Sequence, residues 1–189
     1  MDTHNLHPLI AARRSPYAFD PDKSVSEADL TAMFEAARWA MSSYNAQPWR
    51  YIVGVRERDE ATWQKIFDVL VEGNQPWAVN APVLALGLVQ PDFERNGKPN
   101  KAAIHDLGAA SAQLTLEATA RGLVVHQMIG IEPERARQSF AVADDLEVYT
   151  GLAIGYAGSP DAVPDAYAQR DAAPRERKPL TDIIIAGGL

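Results

Sequence analysis

The chain has 189 residues and a mass of 20.6 kDa, with 47% hydrophobic and 23% charged residues, so a single soluble globular domain with a real core is expected over 1–189. Its formal charge of −7 and pI of about 5.1 argue against nucleic acid or an anionic membrane as a general partner, because both favour a basic surface. The absence of cysteine removes disulfides, thiolate catalysis and Cys-ligated zinc or iron–sulfur centres, and fits a cytoplasmic setting.

The segment Met1–His7 is polar and lacks the basic and apolar regions of a secretory signal. His4 and His7 are three apart, but no third ligand is near in sequence, so no metal site is expected. Residues 6–14 pattern as a short helix with Leu6, Leu9 and Ile10 on one side, ending before Pro16. Ser26 is a good N-cap for a second helix, with Glu27 and Asp29 in its first turn and Leu30, Met33, Phe34 and Ala37 at helical spacing. Residues 50–55 read as a strand, and Glu60–Val71 as an amphipathic helix that buries Trp63, Ile66, Phe67 and Leu70. Pro82–Gln90 is apolar nearly throughout, as in a strand covered on both faces. No apolar run reaches the roughly 18–20 residues of a membrane span.

The longest helix is expected over Asn100–Arg121. It is apolar on most sides, which suits a central or subunit-interface position, and Gly122 would end it. Within it, His105 and Asp106 should point to different sides. A strand at 123–126, a helix at 134–140 and a strand at 149–158 follow. Residues 159–178 contain few apolar side chains, chiefly Val163 and Tyr167, and read as a long irregular extension. A tail wrapping another subunit would account for it. Ile183–Ile185 reads as a last short strand.

Chemistry concentrates at Ser42-Ser43-Tyr44-Asn45-Ala46-Gln47-Pro48-Trp49. Two serine hydroxyls and two carboxamides fall within six residues, and none ionises near neutral pH. Such a set suits a flat, neutral ligand edge of carbonyls and ring nitrogens better than a metal or an acid/base dyad. By composition alone it could equally be a polar turn. Neither a Gly-rich phosphate loop nor a GxSxG elbow occurs in the chain.

Three motifs in order carry a family resemblance: Arg13-Arg14-Ser15-Pro16-Tyr17-Ala18-Phe19, Met41 through Trp49, and Pro174-Arg175-Glu176-Arg177-Lys178-Pro179-Leu180. Together they resemble the nitroreductase family of FMN-dependent oxidoreductases, over about residues 8–186. The resemblance implies an α+β, three-layer fold whose central mixed, mainly antiparallel sheet is flanked by helices. It also implies a homodimer with FMN at its interface and a C-terminal arm, within 159–189, exchanged onto the partner.

By the same resemblance, Arg13, Arg14, Ser15, Arg175 and Arg177 belong to the FMN phosphate end, with Lys178 as a helper. Guanidinium groups suit a phosphate because they bind it through forked hydrogen bonds. Met41, Ser42, Ser43, Asn45 and Gln47 match the segment that contacts the flavin ring and ribityl chain, from the other subunit. Asn74 matches an asparagine near the flavin, or else is a turn residue after Gly73. Ile129 and Gly130 match a backbone segment facing the ring. Tyr17 stands where many members carry a second basic residue, Met41 where the family has proline, and Trp77 near a lysine of some members.

The implied activity is NAD(P)H-dependent reduction of a small-molecule electron acceptor (a nitroaromatic, a quinone or a related conjugated compound) by a ping-pong cycle, with no obligatory acid/base side chain. The alternatives are a flavin-binding dimer without turnover, a relative with oxidase- or dehalogenase-type chemistry and, last, an arm-mediated dimer without flavin.

Overall fold

The computed structural model describes residues 6–187. The His4 half of the His4/His7 pair therefore lies outside the described residues. Helix α1 (Pro8–Ala12) opens with proline in its first turn, where a missing N–H costs nothing. Helix α2 (Glu27–Arg38) is capped as its sequence suggests: Ser26 Oγ accepts the Asp29 N–H at 3.0 Å. Its Leu30, Met33 and Ala37 are buried.

Strand β1 (Trp49–Val55) leads into α3 (Glu60–Asp68), a single turn α4 (Gln75–Ala78) and strand β2 (Val83–Val89). The long helix α5 (Ala103–Ala120) is followed by β3 (Val124–Met128), α6 (Pro133–Phe140) and β4 (Glu147–Gly155). The sheet order is β1-β2-β4-β3, and every pairing among the described residues is antiparallel.

β2 shows how the sequence builds three layers. All seven of its residues are buried, and alternate ones point to opposite faces. Leu84, Leu86 and Leu88 pack with Trp63, Ile66, Leu70 and Trp77 in one helical layer. Val83, Ala85 and Val89 pack with Met33, Leu107 and Leu114 in the other. Both α2 and α5 belong to this second layer. Helix α5 is not buried all round: Leu107, Ala110, Leu114 and Ala118 face the sheet side, while Ile104, Gly108 and Ala112 are exposed. Gly122 follows it at φ +76°, the left-handed conformation that lets glycine end a helix at little steric cost.

The extension differs from its sequence reading. It is not irregular but contains α7 (Asp165–Ala172), which folds back onto its own chain. Val163 is buried, Tyr167 and Ala168 pack against the core, and the Tyr167 hydroxyl donates to the Gly73 carbonyl at 2.7 Å. Asn80 Nδ2 donates to the Ala162 carbonyl at 2.5 Å. A few well-placed anchors thus do what the low apolar content seemed to forbid. Only residues 176–187 run exposed throughout. Ile183–Ile185 forms no strand within this chain; a short helix α8 (Leu180–Ile183) stands there instead. A strand needs a neighbouring edge for its backbone hydrogen bonds, and among the described residues none pairs with this segment.

Candidate functional site

The end of α1 and the end of α7 meet at a basic pocket of about 370 Å³. Its walls carry five guanidiniums, those of Arg13, Arg14, Arg170, Arg175 and Arg177, with Ser15 and one carboxylate, Asp171. Chain positions more than 150 residues apart meet here because Asp171 holds the loop after α1. Its carboxylate accepts the backbone N–H groups of Tyr17 (2.9 Å) and Ala18 (2.9 Å). Arg13 Nη1 donates to Ser15 Oγ at 3.0 Å. Burial and the nearby charges of Arg175, Arg177 and Arg14 hold the Arg13 pKa below its usual value. Arg175 braces the loop: Nη1 donates to the Arg13 carbonyl at 2.7 Å and Nη2 to the Ala11 carbonyl at 2.9 Å.

Behind the pocket lies an aromatic cluster. The Tyr17 ring sits 4.7 Å from His126, 5.3 Å from Trp77 and 5.0 Å from Tyr167, centroid to centroid. His126 Nδ1 lies 3.0 Å from the Pro16 carbonyl oxygen, which ties β3 to the loop that follows Ser15. Burial pushes the His126 pKa below its usual value, against the opposing pull of that carbonyl and of Asp171.

β3 then leads to Ile129 and Gly130. Asn74 Nδ2 donates to the Gly130 carbonyl at 2.8 Å, and the Val71 N–H donates to the same oxygen at 3.1 Å. Asn74 is thus more than a turn residue, because it fixes the backbone of the Ile129–Gly130 segment. A Cβ on Gly130 would lie 2.5 Å from Asn74 Nδ2 and 2.9 Å from a Val71 methyl, so only glycine fits without a shift. The Ile129 side chain is 67% exposed, beside Ile104, Gly108 and Tyr149 in a shallow depression.

Residues 42–47 form a separate, tightly wound element. Ser42 Oγ accepts the Gln47 N–H at 3.0 Å, and Asp106 Oδ2 accepts the Ser43 N–H at 2.9 Å. Gln47 Nε2 donates to the Asn45 carbonyl at 3.2 Å. Tyr44, Asn45 and Gln47 all have positive φ, at 53°, 54° and 47°. Non-glycine residues in this region cost of order 1 kcal/mol each and persist only where the surroundings enforce them. Asp106, buried in the first turn of α5, anchors the start of this element through Ser43. Asn45 and Met41 remain exposed. Asn45 lines a second pocket of about 380 Å³ with Pro48, Gln90, Asp92, Phe93 and Arg95.

The structure therefore gathers Arg13, Arg14, Ser15, Arg175 and Arg177 at one pocket, and Asn74 with Ile129 and Gly130 at another place. Met41, Ser42, Ser43, Asn45 and Gln47 join neither within one chain: the pocket of the arginines and the pocket of Asn45 share no residue. Lys178 does not line the basic pocket.

Sequence reasoning missed Arg170 and Asp171, because they sit in a stretch read as irregular. It also missed the bracing role of Asp106. His105 is exposed and Asp106 buried, as expected, yet His105 Nδ1 lies 3.2 Å from Asp106 Oδ1. Of the four tryptophans, Trp49, Trp63 and Trp77 are core and Trp39 is 75% exposed. Among the described residues, no group of three or more His, Cys, Asp or Glu could hold a metal ion, and no helix is long and apolar enough to cross a membrane.

A four-stranded antiparallel sheet between helical layers, with a multi-arginine pocket beside one edge of it, defines a three-layer α+β fold with a strongly basic pocket. The chain belongs to the nitroreductase family, whose model matches residues 10–156. The arginines of α7 and the C-terminal segment lie beyond that match. An uncharacterised 15.4 kDa protein of Mycolicibacterium smegmatis is 35% identical over 144 residues, covering 73% of this chain and 95% of that protein. The major NAD(P)H-flavin oxidoreductase of Aliivibrio fischeri is 36% identical over 73 residues, 37% of this chain and 34% of that protein. A crystal structure described as an oxidoreductase containing FMN superposes with a TM-score of 0.89 at 32% identity, covering 97% of this chain and 92% of that one.

Proposed function

We propose that this protein is an FMN-dependent oxidoreductase that takes reducing equivalents from NAD(P)H and passes them to a small conjugated acceptor such as a nitroaromatic or a quinone. The observation that carries the reading is the basic pocket, whose donors suit the phosphate of FMN. A phosphate monoester near neutral pH is close to a dianion, and guanidiniums with a serine hydroxyl are its natural ligands. The relative described as containing FMN, at 32% identity over nearly the whole chain, supports the same cofactor. The flavin oxidoreductase of A. fischeri supports a nicotinamide donor.

In this reading Arg13, Arg14, Ser15 and Arg177 bind the phosphate, and Arg175 keeps the loop in place. The Ile129–Gly130 backbone, fixed by Asn74, offers main-chain groups to the ring. Met41, Ser42, Ser43, Asn45 and Gln47 serve the flavin bound mainly by a second copy of the chain, which accounts for their separation from the arginines. The exposed tail, with Leu180 at 61%, Ile183 at 62% and Ile185 at 91% exposure, crosses onto that copy.

Bound FMN supplies hydride acceptance from the nicotinamide and electron delivery to the acceptor. The protein's own groups bind and orient. No side chain need relay a proton, since water can reach the products of reduction. Donor and acceptor use one place in turn, which gives ping-pong kinetics.

The test is an absorbance spectrum of the protein after incubation with FMN and gel filtration, followed by anaerobic addition of NADH and NADPH separately. Retained flavin that is bleached by a nicotinamide and recoloured by an added quinone supports the reading. A colourless protein rejects it, and bound flavin that neither nicotinamide bleaches rejects the enzymatic part. A solution mass of one chain rather than two rejects the shared site.

A further inference from the structure

Helix α7 brings to the basic pocket a charge that none of the three motifs contains. Arg170 lines that pocket beside Arg13, Arg14, Arg175 and Arg177. Its guanidinium carbon lies 5.8 Å from the Tyr17 ring centroid and 5.5 Å from that of Tyr167. Among the described residues it has no carboxylate within ion-pair distance, although Asp171 is its neighbour in sequence. The Asp171 oxygens are instead directed at the Tyr17 and Ala18 N–H groups. Among the described residues the guanidinium is thus without a carboxylate partner at the basic pocket, and its helix is locked to the loop that carries Arg13 and Ser15.

Arg170 lies over the face of Tyr17, in the loop that carries Ser15, and lines the same pocket as that serine. We infer that Arg170 is an additional cofactor-binding residue, which adds a positive charge from α7 to the pocket, and that its ligand is the phosphate group of the flavin. This rests on the FMN reading given above.

Two of the other arginines are less free to take this part: both terminal nitrogens of Arg175 donate to backbone carbonyls, and Arg13 donates to Ser15. Arg170 makes no hydrogen bond among the described residues, so its full fork is available to a phosphate oxygen. The aromatic rings beneath it restrict the side chain and reduce the entropy lost on binding.

The experiment compares FMN with riboflavin, which has the same ring and ribityl chain but no phosphate. Dissociation constants come from quenching of flavin fluorescence, for the wild-type protein, Arg170→Gln and Arg170→Lys, each at low and high salt. Arg170→Gln is expected to weaken FMN binding about tenfold or more, the scale of one lost charge-assisted hydrogen bond. It should leave riboflavin binding unchanged and flatten the salt dependence of FMN binding. Arg170→Lys should recover part of the loss, because it keeps the charge but not the fork.

Unchanged FMN binding in Arg170→Gln, alongside tight wild-type binding, overturns this inference and leaves the FMN reading standing. An equal loss for FMN and riboflavin also overturns it, since the effect would not pass through the phosphate. Failure of the wild-type protein to bind FMN removes the FMN reading itself. Melting temperatures of the flavin-free proteins, expected to agree, separate a binding defect from a folding one.

Discussion

The Asp171 carboxylate accepts the Tyr17 N–H with both of its oxygens at 2.9 Å, and so joins α7 to the loop after α1. One of the same oxygens takes the Ala18 N–H. Two consecutive backbone donors thus converge on one charged group, a stronger arrangement than neutral pairs would give. The consequence is local. Arg170 reaches the pocket because this carboxylate holds α7 there, and Arg175 and Arg177 follow directly after that helix.

Asp171→Ala is therefore expected to cost about 2 kcal/mol of stability, the scale of hydrogen bonds to a charged acceptor lost together. Faster hydrogen exchange at the Tyr17 and Ala18 amides should accompany it, with weaker retention of FMN. Native exchange rates at those two amides in the variant would show that the loop is held by something else.

The Ile129–Gly130 backbone gives the next test. A methyl group at position 130 would meet Asn74 Nδ2 at 2.5 Å, where no real Cβ sits. Asn74 would have to leave the Gly130 carbonyl that it binds. Gly130→Ala is expected to destabilise the fold by roughly 1–3 kcal/mol, as overpacking does, and to lower turnover more than it lowers FMN affinity. Gly130→Ala combined with Asn74→Ala should recover much of the stability but not the turnover. A single variant with wild-type melting and turnover would mean that this backbone has room to spare.

Periodicity and capping revealed most of the scaffold, and the reasons are local. Ser26 caps α2 through its own side chain, and the seven apolar residues of β2 demand cover on both faces. Arg13, Ser15 and Arg177 were legible as a group through the resemblance of their motifs to the nitroreductase family, and they line one pocket. What was not legible depends on contacts over long sequence separations. Nothing near Asp171 indicates that its partners are the amides of Tyr17 and Ala18. α7 is short and polar, so its helix depends on tertiary anchors such as Tyr167 rather than on a visible apolar stripe. The left-handed conformations at Tyr44, Asn45 and Gln47 were hidden as well, as was the contact between Ser43 and Asp106 across the fold.

The like charges in the basic pocket oppose one another, which is part of what holds the Arg13 pKa down. The flavin-free protein should therefore gain stability from any anion that occupies the site. Inorganic phosphate or pyrophosphate is expected to raise its melting temperature more than chloride at equal ionic strength. A ligand at a hundred times its dissociation constant contributes about 2.7 kcal/mol. Arg13→Gln should reduce the gain. Equal effects of chloride and phosphate would argue for general screening and against a specific anion site.

His126 predicts a pH dependence whose sign follows from its burial. Its folded-state pKa lies below the ordinary histidine value of about 6.5, because burial disfavours the charged ring. Above that ordinary value the ring is neutral in both states and contributes no pH dependence. As pH falls below it, the unfolded chain takes up a proton that the folded chain resists, so stability declines until the lower folded pKa is reached. His126→Gln can still offer a carboxamide N–H to the Pro16 carbonyl but cannot titrate. Between about pH 7 and about pH 5 the wild-type protein should lose more stability than the variant, measured by denaturant midpoints. Parallel losses in the two proteins would show that other groups set the acid sensitivity. A larger loss in the variant would mean that protonation of His126 stabilises the loop, with Asp171 rather than burial dominating its environment.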